Sequence, residues 1–216
     1  MWDEHWCKGM TSRVTEMAPK INELIHQARE NGITIIHSPS DNMGFYEGTP
    51  QRNRMKNMKI ADWAKDVPGW YHLDPLKEAE FPIDDSDEGC DDHPKCQNIN
   101  GKVWSRQINT INIDKEDGIS DEGSEILSYF GQNGIRNVIM TGVATNMCVL
   151  GRSFGIRSLI NAGMNVILVR DLTDTMYNPE MPPFVSHDEG TQLVVEHIEK
   201  YWSPSVLSKD LMQNWK

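Results

Sequence analysis

The sequence predicts a doubly wound α/β fold, a mainly parallel sheet with helices on both faces. Short β-branched apolar runs at 33–36, 138–140 and 166–169 lack polar alternation, as strands buried on both faces do. Between them lie stretches with apolar residues at helical spacing, so strand and helix alternate. The 216 residues suit one substantial domain, 1–216, with a real core.

In chain order, Val14, Met17, Ile21, Leu24, Ile25 and Ala28 form a helical stripe over 11–31. Thr11 or Ser12 offers the cap and Gly32 the stop. The strand 33–36 follows, with His37 at its end. Residues 38–110 are rich in Pro, Gly, Asn and Asp and read as an irregular insertion that walls a pocket, with short helices at about 53–65 and 75–79. Its aromatics Trp63, Trp70, Tyr71 and Trp104 read as packing residues. A strand is expected at 111–113 and a helix from a Ser120 cap to Gly134. Then come the strand 138–140, a helix from Cys148 to Ile160, the strand 166–169, a Pro-rich loop 171–186 and a helix at about 187–201. The tail 203–216 is a candidate for packing on a neighbouring subunit.

One irregularity stands out. The chain opens with a loop-like MWDEHWCKG and no strand precedes its first helix, whereas a doubly wound fold normally begins with a strand that becomes central. The expectation is that this first central strand is missing.

A net charge of −11 argues against nucleic acid or an anionic membrane surface as partner, since both are met by clustered Lys and Arg. No run approaches the ~18 apolar residues of a membrane span, and no signal-peptide pattern opens the chain. A cytoplasmic protein is expected, acting on a small molecule and self-associating. Four cysteines, Cys7, Cys90, Cys96 and Cys148, do not form a dense disulfide framework, and reduced surroundings fit them better. In CDDHPKC, Cys90 and Cys96 flank His93, a spacing unlike a zinc finger, and no second ligand pair is evident. A solvated acidic loop is the expectation there. No metal and no cofactor are expected.

The chemistry concentrates at 137–160. An apolar run meets a Thr-Gly turn, and Cys148 opens a helical segment. The first turn of a helix has unpaired N–H groups that favour negative charge, and thiolates and oxyanions are both negative. Gly142 permits an unusual backbone, and Thr145 and Asn146 suit a helix start.

GVATNMCV, with the helix and strand after it, resembles the isochorismatase-like cysteine hydrolases, which include nicotinamidases, N-carbamoylsarcosine amidohydrolases and isochorismatases. The likeness is strongest over 137–201, and DLTDTMYNPEMPPFVSH looks like a subgroup of unestablished substrate. The resemblance implies Cys148 as nucleophile, Lys115 as its cationic partner through the register of Ser120, Gly123, Ser124 and Ile126, and the N–H groups of Ala144 and Cys148 as oxyanion donors. It also implies a cis Val143–Ala144 peptide. The catalytic aspartate belongs at the end of the first strand, so it falls just before residue 1, and Asp3 matches a neighbouring position. The implied activity is hydrolysis of a small non-peptide C–N bond by way of a thioester. Little or no activity is expected of this chain without that base. The competing class is a non-catalytic binding or scaffold protein on the same fold. Isochorismatases lack the cysteine, and the Asp-x-His metal motif of nicotinamidases is not matched by His37 and Asp41.

Overall fold

The computed structural model describes residues 1–96 and 98–215. Its elements are α1 (Lys8–Glu30), β1 (Ile36–His37), α2 (Met43–Tyr46), α3 (Pro50–Lys56), β2 (Gly118–Ile119), α4 (Gly123–Gln132), β3 (Asn137–Val143), α5 (Ile156–Asn161), β4 (Asn165–Asp174), α6 (His187–Tyr201), β5 (Ser205–Val206) and α7 (Ser208–Gln213). All strand pairings between these elements are parallel, in two groups: β1 with β2, and β3–β4–β5 in that order. The parallel α/β class expected from the sequence is the one observed.

Helices cover both faces of the larger group. On one side Ile21, Leu24 and Ile25 of α1 pack with Val169 and Leu172 of β4, alongside Leu211 and Met212 of α7. On the other, Ile126, Leu127 and Phe130 of α4, Ile156 and Leu159 of α5, and Val194, Val195 and Ile198 of α6 close over Val166 and Leu168. Fully burying each such side chain stabilises the fold by about 1.5–3 kcal/mol, which is why strands this short of polar residues end up between two helical layers.

Between the two strand groups lies a gap. Ile35 and Ile36 on one wall and Ile139 to Val143 on the other line one cavity of about 560 Å³. Neither β1 nor β3 pairs with a strand on that side among the described residues. The lining of this slot is mainly apolar.

Several elements differ from expectation, each for a non-local reason. Helix α1 starts at Lys8, because the Asp92 carboxylate accepts from the N–H groups of Lys8 (2.7 Å) and Gly9 (2.8 Å) and supplies the cap from 83–84 residues away. Residues 111–113 form no strand; β1 instead pairs with Gly118–Ile119, and the Asn112 N–H donates to the Asn22 side chain. Helix α4 starts at Gly123, after Ser120, whose hydroxyl donates to Glu125 at 2.6 Å and accepts from the Glu122 N–H at 3.1 Å. Residues 75–79 are a turn, and 53–65 divides into the end of α3 and a short 3₁₀ turn, Asp62–Ala64. Helix α6 falls where the sequence places it, with Ser186 and Glu189 forming a reciprocal capping box.

Two buried carboxylates tie the irregular region down. Glu78 is fully buried and receives Arg157 Nη2 at 2.8 Å, His197 Nε2 at 2.8 Å and Trp202 Nε1 at 2.9 Å, so one side chain joins the insertion to α5, α6 and the segment after α6. Asp117 receives Arg29 Nε of α1 at 3.0 Å, His37 Nε2 of β1 at 2.9 Å and the Asp114 N–H at 2.8 Å. Burial alone would raise the Asp117 carboxyl; the His37 and Arg29 donors outweigh it and bring it from 3.8 down to about 2. A folded-state pKa below the unfolded one gives stability that is complete above about pH 4 and is lost as pH falls towards 2. Asp117→Asn is expected to cost about 3 kcal/mol at neutral pH and to flatten the acid limb. Urea unfolding at pH 7 and pH 3 checks both.

Candidate active site

The site begins where β3 ends. Gly142 has φ +117°, in the region that favours glycine, and the next peptide, Val143–Ala144, is cis. Residues Thr145–Val149 then form a single π-type turn that carries Cys148. Thr145 donates to the Thr173 hydroxyl at 2.7 Å, which donates onward to the Gly142 carbonyl at 2.8 Å. Asn146 donates to Asp85 (2.7 Å) and to the Met176 carbonyl (3.0 Å), and accepts from the Met176 N–H (3.0 Å). Thr145 and Asn146 thus lock the turn to the end of β4.

The helix expected from Cys148 to Ile160 is broken. After Cys148 the chain lies against residues 69–71: Trp70 bridges Arg152, Tyr71 N–H donates to the Gly151 carbonyl at 2.6 Å, and Ser153 N–H donates to the Gly69 carbonyl at 3.0 Å. A Cβ on Gly151 would lie 2.8 Å from the Trp70 ring, so glycine is required for this approach. Helical geometry resumes at Ile156.

Arg152 is the charged group that this break delivers to Cys148. Its Nη2 donates to Asp41 at 2.9 Å, its guanidinium lies 5.7 Å from the Trp70 ring centroid, and its buried Nε has no hydrogen-bond partner. Burial works against the guanidinium charge, and the Cys148 sulfur and Asp41 carboxylate outweigh it and raise its pKa.

Cys148 opens on the 560 Å³ cavity with Met1, Trp2, Trp104, Ala144 and Met147 around it. Trp2 and Trp104 stack at 3.8 Å between centroids, so a planar aromatic wall faces the sulfur's cavity. Both nitrogens of His37, which also lines it, are engaged: Nδ1 with Gln107 Oε1 at 3.0 Å and Nε2 with Asp117. That leaves His37 as a structural histidine at the strand end.

The structure does not bring Lys115 or Asp3 to Cys148. The Lys115 side chain is 83% exposed and its charged neighbour is Glu116 at 3.9 Å, because the turn at 114–117 is anchored through Asp117 and presents residue 115 to solvent. Asp3 accepts from Ser105 N–H (2.9 Å), Ser105 Oγ (2.6 Å) and Arg106 N–H (3.2 Å), which pins it to the loop behind the cavity wall. Residue 1 does reach the site, where Met1 lines the same cavity as Cys148. Of the aromatics expected to be packing residues, Trp104 lines the cavity, and Trp70 packs against Gly151 and Arg152. His93, by contrast, is exposed and lies 3.8 Å from Glu180.

A family model described as the isochorismatase domain matches residues 8–181. Among solved structures, a cysteine hydrolase from Pseudomonas syringae pv. phaseolicola is similar over 94% of this chain and 81% of its own, with a TM-score of 0.56 and 14% identity. A provisionally named isochorismatase from Burkholderia xenovorans is similar over 94% of this chain and 76% of its own, with a TM-score of 0.55 and 12% identity. No curated protein matches the chain. At these identities the structural likeness is one of fold. No helix among the described residues is long and apolar enough to cross a membrane.

Proposed function

Because the chain belongs to the isochorismatase family, we propose that it hydrolyses a small non-peptide amide or related C–N bond through a thioester on Cys148. The observation that carries this reading is the placement of Cys148 on a rigid turn at the mouth of an apolar, aromatic-walled cavity with a permanent cation, Arg152, against it. A cation beside a thiol favours the thiolate, the nucleophilic form. In this reading Arg152 takes the role that family resemblance gives Lys115.

The thiolate attacks the carbonyl carbon of the amide. Its oxygen becomes an oxyanion held by the N–H groups of Ala144 and Cys148, each such donor being worth about 10²–10³ in rate. Collapse expels the protonated amine and leaves an acyl group on sulfur. Water then attacks the thioester, and the second collapse returns the thiolate and releases the acid. The Trp2–Trp104 wall suits a substrate with a flat apolar body.

Both proton transfers need a base. Asp3 is engaged by Ser105 and Arg106, and Asp41 holds Arg152, which supports weak turnover by this chain alone. The same observation favours a second reading, a binding protein that holds a small amide without cleaving it.

A panel of small aliphatic and aromatic amides, assayed for released amine, tests these readings. The chain alone is expected to be slow, and a version carrying a β-strand that ends in aspartate ahead of Met1 is expected to be faster by about 10²–10⁴. Equal rates in the two forms would exclude a base at that place; binding with no hydrolysis in either would favour the second reading. Arg152→Gln is expected to slow amine release in the more active form, measured with the same panel.

A further inference from the structure

The three cysteines that the hydrolase chemistry leaves unused converge on one point. Cys7 immediately precedes α1, while Cys90 and Cys96 lie in the acidic loop, 83 and 89 residues further on. The sulfurs of Cys7 and Cys90 and a carboxylate oxygen of Asp92 all lie within 4.8 Å of one another. Cys96 Sγ lies 2.9 Å from Asp92 Oδ2 on the same carboxylate, and Cys7 Sγ lies 3.7 Å from Oδ1. Cys7 is fully buried and Cys90 nearly so. From these juxtaposed side chains the geometry points to a structural site for a divalent soft cation, with zinc the expected ion, held by Cys7, Cys90, Cys96 and Asp92.

Three thiolates and one carboxylate are a donor set of the right number and softness for tetrahedral zinc. Zinc–sulfur bonds of about 2.3 Å place neighbouring sulfurs roughly 3.8 Å apart in a tetrahedron, so Cys7, Cys90 and Asp92 draw together and the Cys96 thiol, which donates to the Trp6 carbonyl at 2.8 Å, turns from that carbonyl to join them. Binding displaces the three thiol protons to solvent: Zn²⁺ and three thiols give a Zn–thiolate centre and three H⁺. With the carboxylate the centre carries a net charge of −2. The N-terminus of α1 offsets it, its Lys8 and Gly9 N–H groups already donating to Asp92. Arg13, paired with the adjacent Asp91 at 2.7 Å, adds a positive charge nearby.

The sequence alone offered CDDHPKC as half a site with His93 as its third donor. The structure replaces His93, which is exposed, with Cys7. The metal's function is to staple the acidic loop to α1. Cys7 and Cys90 pack in one cluster with Met10, Met176 and Ala144, so the staple also backs the residue that donates to the oxyanion.

The test uses the full chain carrying Cys148→Ala, which removes the one remaining thiol and makes the readout independent of hydrolysis. Reduced protein is stripped of metal and titrated with Co²⁺. One equivalent is expected, with the intense visible bands of tetrahedral cobalt and a near-ultraviolet thiolate-to-cobalt charge-transfer band, both erased by one equivalent of Zn²⁺. Cys90→Ser, at a buried position, is expected to abolish the bands. Cys96→Ser and Asp92→Asn, at half-buried positions, are expected to keep the native circular dichroism and weaken Co²⁺ binding at least about tenfold. Less than about a tenth of an equivalent bound overturns the proposal, as does undiminished binding by both half-buried variants or octahedral cobalt spectra without the charge-transfer band. A Cys7–Cys90 disulfide in protein purified without reductant, seen as a loss of two hydrogens in the joined peptides, also overturns it.

Discussion

Exchange of Cys148 for alanine is expected to return amide hydrolysis to the uncatalysed background, a loss of about 10³-fold or more in whichever form of the protein is most active. No other thiol can substitute, since Cys7, Cys90 and Cys96 cluster with Asp92 and none lines the cavity. The fold should be untouched, because the turn is held by Thr145 and Asn146 and the thiol faces a cavity already present. Hydroxylamine trapping of an acyl-enzyme in the parent, absent in Cys148→Ala, separates the thioester route from direct attack by water. Retention of more than a tenth of the activity in the alanine variant would rule out Cys148 as nucleophile.

Glu78→Ala is expected to destabilise the fold by about 3–5 kcal/mol, the cost of leaving buried charge without its partner. Arg157 is nearly as buried as Glu78, and truncation strands it together with His197 and Trp202. A fall of roughly 1–2 M in the urea midpoint follows. Glu78→Gln keeps the shape but not the charge, and should recover only the part owed to packing. Burial raises the Glu78 carboxyl and the Arg157, His197 and Trp202 donors lower it further than that, for a net lowering. Its contribution is therefore present at neutral pH and fades as pH falls through the carboxylate range, so the gap between parent and variant should narrow in acid.

What was legible in the sequence was what is local. The capping box of α6 spans four residues, Ser186 to Glu189, and the apolar periods of α1 and α6 and the β-branched runs of β3 and β4 are read from short windows. Thr145, Asn146 and Cys148 announce their turn in the same way. The parts that were not legible are made by groups far apart in the chain. Helix α1 takes its cap from Asp92, so its start could not be placed from Thr11 or Ser12. The helix after Cys148 is interrupted by Trp70, about eighty residues earlier in the chain. Glu78 looks like any solvated acid among Lys77 and Glu80 until Arg157, His197 and Trp202 are seen around it. Lys115 shows the converse: a register match placed it in the motif, and the anchoring of its turn through Asp117 directs it to solvent.

The slot between β1 and β3 has a mechanical meaning as well as an architectural one. Among the described residues no ladder of backbone hydrogen bonds crosses it, and side chains couple the two strand groups: Arg29 of α1 meets Asp117, Arg152 meets Asp41, and Ile21, Leu24 and Ile25 pack near β4. Separating the groups stretches side-chain contacts and breaks no sheet. Coupling between the two groups thus rests on side-chain contacts rather than on backbone pairing.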